Sequence, residues 1–219
     1  MKGAVLASFL LSAPAASACD VALMLAVDVS GSVDPHEFRI QMDGLAAGLT
    51  DRNVMSALVA SNAQVALMQW TGSGRQSVVI NWTSITAEED VYALAFEVAT
   101  TPRLWRDFST AIGEAMDLSI PYFAEVDECD RRVIDISGDG ISNEGPAPRD
   151  IWPALLAANV TVNALVIEDT GFGLTEWFEN NVIFGAGAFA MTANSFDEYP
   201  PQIIRKLYRE LSEPISALE

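Results

Sequence analysis

Val21-Ala22-Leu23-Met24-Leu25-Ala26-Val27 runs straight into Asp28-Val29-Ser30-Gly31-Ser32. Seven apolar residues without alternation, ending in a Gly/Ser turn, read as a strand buried on both faces. Such a strand belongs in a sheet covered by helices on both sides. Asp34-Pro35-His36-Glu37 follows at once. An Asp cap, a Pro at the first helical position and a Glu three residues after the cap predict a helix start. Phe38, Met42, Leu45 and Leu49 continue it at helical spacing.

The same alternation of strand and helix extends down the chain. Val65 to Trp70 reads as a second strand, Thr71-Gly72-Ser73-Gly74 as a turn, and Ser77 to Trp82 as a returning third strand, so the two form a hairpin. Thr86-Ala87-Glu88-Glu89 resembles a capping box that opens a helix to about Ala99. A helix is expected from Ser109 to about Tyr122, with Ile112, Ala115, Met116 and Ile120 on one face. Arg132 to Ser137 is a fourth strand running into Gly138-Asp139-Gly140. A helix near Ile151–Ala158, a fifth strand over Val160–Ile167, a short helix over Thr175–Asn180 and a weak sixth strand over Ala188–Thr192 complete the series. The last helix carries Ile203, Ile204, Leu207 and Leu211 on one stripe. The expected fold is α/β: a doubly wound, mostly parallel six-stranded sheet with helices on both faces and one antiparallel hairpin. Sheets of this kind bind ligands beyond the carboxyl ends of their strands, where the strand order reverses.

Composition narrows the function. The 219 residues are 50% apolar, which supplies one sizeable core. Thirty acidic residues against 12 basic ones give a net charge of −18. That field repels a polyanion, so nucleic acid is excluded as a partner. Lys2, the apolar run Ala4 to Leu11, and the small-x-small triplet Ala16-Ser17-Ala18 read as a signal peptide over residues 1–18. The domain then occupies 19–219, and the protein is expected outside the cytoplasm, periplasmic or secreted. The apolar run is too short to span a bilayer, and no later run approaches that length. Cys19 directly follows the cleavage site. Lipidation there, free thiols, or pairing with the other cysteine, Cys129, are all compatible with the sequence alone.

Asp28, Ser30 and Ser32 place a carboxylate and two hydroxyls within five residues, on a loop turned by Gly31. These are hard oxygen ligands, suited to Mg²⁺, Mn²⁺ or Ca²⁺. Read alone, the loop is equally a turn in which Ser and Asp bond backbone groups. Two other segments reach the same rim of the sheet. Asp139 ends the fourth strand between two glycines, and Thr110 stands at the start of a helix.

Asp-x-Ser-x-Ser after the first strand, a Thr before a middle helix and Asp-Gly after the fourth strand, in that order, resemble the von Willebrand factor A domain. The nearest likeness is to an exported bacterial branch of unknown function, and it spans about residues 20–213. The resemblance implies a metal-ion-dependent adhesion site. Ser30 and Ser32 would bind a divalent cation directly, with Mg²⁺ favoured. Thr110 would bind directly or through water, and Asp28 and Asp139 would act mainly through water. A protein partner's Asp or Glu would complete the coordination. The implied function is metal-dependent protein binding without catalysis. Its rivals are a metal-independent module of the same fold and a metal-dependent hydrolase. The family topology makes the first and fourth strands parallel neighbours, which brings Cys19 and Cys129 to the same depth and implies a disulfide. Two departures stand out: Asp107-Phe108-Ser109-Thr110 lacks the Gly-Gly that often precedes this Thr, and Gly138 occupies a place where Thr is common.

Other signals carry less. Asp135-x-Ser137-x-Asp139-Gly140 imitates an EF-hand start, but Pro146 stands where a bidentate Glu is needed. His36, the single histidine, falls in a helix's first turn. Gly171-Phe172-Gly173 lacks the third Gly of a dinucleotide loop. Glu168 and Asp169 end the fifth strand near the rim. The five tryptophans read as core anchors, except that Trp105, with Phe108, is placed to flank a partner.

Overall fold

The computed structural model describes residues 19–168 and 173–212. The leader over 1–18, Asp169 and the Gly171-Phe172 pair lie outside the described residues. Six strands form one sheet: β1 (Cys19–Asp28), β2 (Gln64–Trp70), β3 (Gln76–Ser84), β4 (Cys129–Gly138), β5 (Val160–Ile167) and β6 (Ala190–Ala193). Their order across the sheet is β3-β2-β1-β4-β5-β6. Only the β2–β3 pair is antiparallel. The chain moves one way from β1 to β3 and the other way from β4 to β6. The order therefore reverses between β1 and β4, and a crevice opens above their carboxyl ends.

Seven α-helices cover the two faces: α1 (Pro35–Leu49), α2 (Arg52–Ala60), α3 (Glu88–Thr100), α4 (Ile112–Tyr122), α5 (Pro148–Ala158), α6 (Leu174–Asn181) and α7 (Tyr199–Ser212). The unbroken apolar run of β1 follows directly from this. Leu23, Leu25 and Val27 enter a core built with α1, α2, α3 and α7. Ala22, Met24 and Ala26 enter a second core built with α4, α5 and α6. With both faces dry, neither set can be polar.

The capping box of α1 is present: Asp34 Oδ1 accepts from the Glu37 N–H at 2.8 Å, and Glu37 Oε2 accepts from the Asp34 N–H at 2.6 Å. The predicted box at Thr86 sits one residue later. Ala87 is the cap of α3, and Asp90 reaches back to the amides of Thr86 and Ala87 and to the Thr86 hydroxyl. Asp90 does the job assigned to Glu89 because its shorter side chain meets these donors directly. α4 begins at Ile112, not Ser109, because residues 109–111 are held extended against β2's end and the 142–144 loop. β6 is shifted two residues beyond the expected start, since Phe189 N–H is used by Asn163 Oδ1 instead of a ladder. α2 was not expected. Asp51 caps it, accepting from Asn53 and Val54 amides, one residue after α1's C-cap.

At the foot of the sheet Cys19 pairs in register with Cys129, and the two are joined as a disulfide. No helix among the described residues is long and apolar enough to cross a membrane.

Candidate metal centre

β1 and β4 are parallel neighbours, with Val27 opposite Ser137, so Asp28 and Asp139 leave the sheet side by side. Four of the five expected residues form a connected group there. Ser30 Oγ is 3.1 Å from Ser32 Oγ, and Ser32 Oγ donates to Asp139 Oδ1 at 2.6 Å. Asp28 Oδ1 accepts from the Ser30 N–H at 2.7 Å, which folds the loop back over the strand end. The turn and the cluster of oxygens are thus the same object, built by one carboxylate.

Thr110 comes from across the crevice. Its backbone N–H donates to Asn143 Oδ1 at 2.9 Å, and its carbonyl accepts from the Asn143 amide at 2.9 Å. These two bonds fix the Thr110 backbone to the loop that follows Asp139. The Thr110 hydroxyl lies 3.9 Å from where a Cβ on Gly140 would stand, so it faces that loop.

Asp28 is fully buried, and its Oδ2 has no hydrogen-bond partner. Burial first, and the neighbouring Asp139 carboxylate second, push its carboxyl up to about 8, against the pull of the Ser30 bonds and Arg103. An orphaned buried oxygen on Asp28, with the Asp139 carboxylate and two hydroxyls grouped on the adjoining loops, makes a site short of positive charge. Among the described residues no group of three His, Cys, Asp or Glu could hold a metal. A cation here would rest on hydroxyls and two acids, all hard oxygens. The residues fit a hard divalent ion.

One of the two departures from the family pattern has a structural reason, and Asp107, three residues before Thr110, takes φ +59°, the left-handed region that Asp tolerates. Gly138 is small because its surroundings are full. A Cβ there would stand 3.3 Å from Asp28 Oδ2 and 3.5 Å from the Trp70 ring. Gly31 is equally tight, since its amide donates to Phe108 O at 2.8 Å and a Cβ would meet that oxygen at 3.2 Å.

Several contributors were not foreseen. Arg103 donates from Nη2 to the carbonyls of Val29 (3.0 Å) and Ser30 (2.9 Å), pinning the Asp28–Ser32 loop from outside. Gln69 holds the arginine's segment, accepting from Leu104 N–H and donating to Pro102 O, both at 2.9 Å. Gln41 of α1 donates to Asp28 O at 3.4 Å. Nothing in the spacing of these residues marks them, because they meet the loop only through the tertiary fold. Of the flanking residues, Phe108 is 39% exposed, with the Arg75 guanidinium 3.9 Å from its ring centroid, whereas Trp105 packs partly against the core. Glu168 serves a different end: its Oε1 accepts the Thr175 N–H at 2.6 Å and anchors the start of α6. His36 sits in the first turn of α1, exposed.

A family model described as a protein of unknown function, DUF1194, matches residues 18–215. The chain belongs to the DUF1194 family. No curated protein matches it. Solved structures place this DUF1194 member in the von Willebrand factor A fold. Proximal thread matrix protein 1 from the mussel byssus aligns with a TM-score of 0.64 and 21% identity over 87% of this chain and 47% of its own. A von Willebrand factor type A protein from Catenulispora acidiphila gives 0.62 and 14% over 88% and 42%. The pilus adhesin SpaC from Lactobacillus rhamnosus GG, in an open conformation, gives 0.60 and 14% over 88% and 30%. The DUF1194 chain thus spans less than half the length of each.

Proposed function

We propose that the rim formed by Asp28, Ser30, Ser32, Thr110 and Asp139 holds a divalent cation and binds a partner protein through it. The observation that carries this reading is the buried, unpartnered Asp28 Oδ2, on the carboxyl whose other oxygen orders Ser30 beside the Ser32–Asp139 pair. Ser30 and Ser32 offer the direct ligands, and Thr110 closes the set from across the crevice. Asp28 and Asp139 hold the hydroxyls and coordinated water. The bound ion supplies a coordination position that an incoming carboxylate can fill. Mg²⁺ is the favoured ion, with Mn²⁺ and Ca²⁺ as rivals. The mussel thread matrix protein has also been solved with zinc in its MIDAS motif, which supports an ion at the equivalent rim and puts Zn²⁺ among the ions to be tested. The pilus adhesin among the relatives supports a binding role over a catalytic one. Export fits the small-x-small leader and the Cys19–Cys129 disulfide, which persists in oxidising compartments.

Titration calorimetry with Mg²⁺, Mn²⁺, Ca²⁺ and Zn²⁺ tests the proposal. Wild type is expected to bind one ion saturably, and Asp28→Ala and Ser32→Ala to lose at least tenfold in affinity. A wild-type protein that shows no saturable uptake of any of the four would sink the metal-dependent reading and leave a metal-free binding module.

A further inference from the structure

Away from the rim, α7 lays two charged side chains against the middle of the sheet. Lys206 is fully buried and Glu210 is 2% exposed. Lys206 Nζ lies 2.6 Å from Glu210 Oε1 and is also in contact with Asp135 Oδ1, in the centre of β4. The position of Glu210 is fixed from the other side. Asn163 of β5 donates Nδ2 to Glu210 Oε1 at 3.0 Å while its Oδ1 accepts the Phe189 N–H at 3.0 Å. The Phe189 ring centroid is 5.6 Å from Lys206 Nζ, which helps keep water from this end of the cluster.

As an ion cluster this arrangement is poorly balanced. One cation stands against two carboxylates in a dry core, and buried charge is costly unless fully paired and hydrogen-bonded. Asp135 Oδ2 and Glu210 Oε2 have no hydrogen bond. Burial first and the Asp135 charge second push Glu210 up to about 8, so it holds a proton at neutral pH. The site therefore contains an amine, an acid in contact with it, and a protonated carboxyl touching the amine.

We propose that this trio is a self-modification site, in which Lys206 Nζ and the Asp135 side chain condense into an intramolecular amide with Glu210 carrying the proton. The Lys206 ammonium passes a proton to Asp135 through Glu210, leaving an amine and a carboxylic acid. The nitrogen lone pair attacks Asp135 Cγ and the N–C bond forms. Glu210 delivers its own proton to the departing oxygen and takes the second proton from nitrogen, ending as it began. The Cγ–O bond breaks and one water leaves. Ammonium plus carboxylate becomes amide plus water, with no oxidant, cofactor or second protein. Fixed contact between the amine and the acid replaces the entropy of encounter. The product removes two buried charges and offers Glu210 an amide N–H and a carbonyl, one for each of its oxygens. It also ties α7 to β4 covalently.

Tryptic mapping of the purified full chain decides the matter. The expected species is a branched peptide, 133–149 joined to 206–209 and lighter than their sum by one water, because trypsin cannot cut after an acylated Lys206. Recovery of linear 133–149 together with free 207–209, and no branched species, would overturn the proposal. Glu210→Gln keeps the shape and a carbonyl for Asn163 but cannot carry the proton. It is expected to leave both peptides linear, with circular dichroism as in wild type. A branched peptide at wild-type yield in Glu210→Gln would overturn the role of Glu210.

Discussion

Asp28 combines two jobs that usually fall to different side chains. One oxygen shapes the loop by accepting the Ser30 amide, and the other is buried without a partner. The space around that second oxygen is set by Gly138 and Trp70, and the fit between them is testable. Gly138→Thr puts a β-branched side chain against Asp28 Oδ2 and the indole. Overpacking of this kind costs about 1–3 kcal/mol, read as a lowered urea midpoint. In a Trp70→Leu background the same substitution is expected to cost measurably less, because the residues share one space. Strict additivity of the two substitutions would refute that account. Of the candidate site, Asp28, Ser30 and Ser32 were legible as one loop, while Thr110 and Asp139 were placed on the same rim by the strand–helix alternation and given roles only by the family resemblance. Trp70, Arg103 and Gln41 were not legible, since each reaches the loop from a separate element.

α7 shows what an element's pattern conceals. Ile203 and Leu207 are buried and Ile204 and Leu211 partly so, as an amphipathic stripe requires. A Lys and a Glu four residues apart ordinarily form an exposed pair. Here the stripe's own rotation, set by Ile203 and Leu207, turns both inward, onto Asp135. Their burial has a pH signature. The Glu210 carboxyl is raised from 4.5 to about 8, with burial as the larger cause, so the folded state holds its proton more tightly than the unfolded state. Its contribution to stability is fully present below pH 4.5 and is lost as pH rises towards 8. Urea midpoints at pH 5 and pH 8 are expected to fall further for wild type than for Glu210→Gln. Equal falls in the two proteins would show that the carboxyl does not titrate in that window. Helix α2 escaped sequence reading for a different reason. It follows α1 so closely that one periodic stretch masks two helices, and only the Asp51 cap separates them.

At the scale of the whole molecule, the β2–β3 hairpin was legible from its Thr71–Gly74 turn and the adjacency of β1 and β4 was implied by the family resemblance, but the full strand order became visible only in the fold, where the hairpin's exposed outer strand forms an edge. The disulfide closes a separation of 110 residues. Chain entropy alone then assigns it about 4–5 kcal/mol. Cys19→Ser with Cys129→Ser is expected to lose roughly that much in urea unfolding, with the metal affinity of the distant rim unchanged. A loss below about 1 kcal/mol would mean that the unfolded chain keeps these ends together without the bond. The position of the bond has a mechanical side as well. Cys19 opens the ten-residue β1 and Asp28 closes it, at opposite ends of the sheet. Strain on the first residue of β1 is shared with β4 through sulphur at the foot of the sheet. β1 is then not frayed from its neighbour at that end, and the Asp28–Ser32 loop stands at the far end of a strand clamped at its foot.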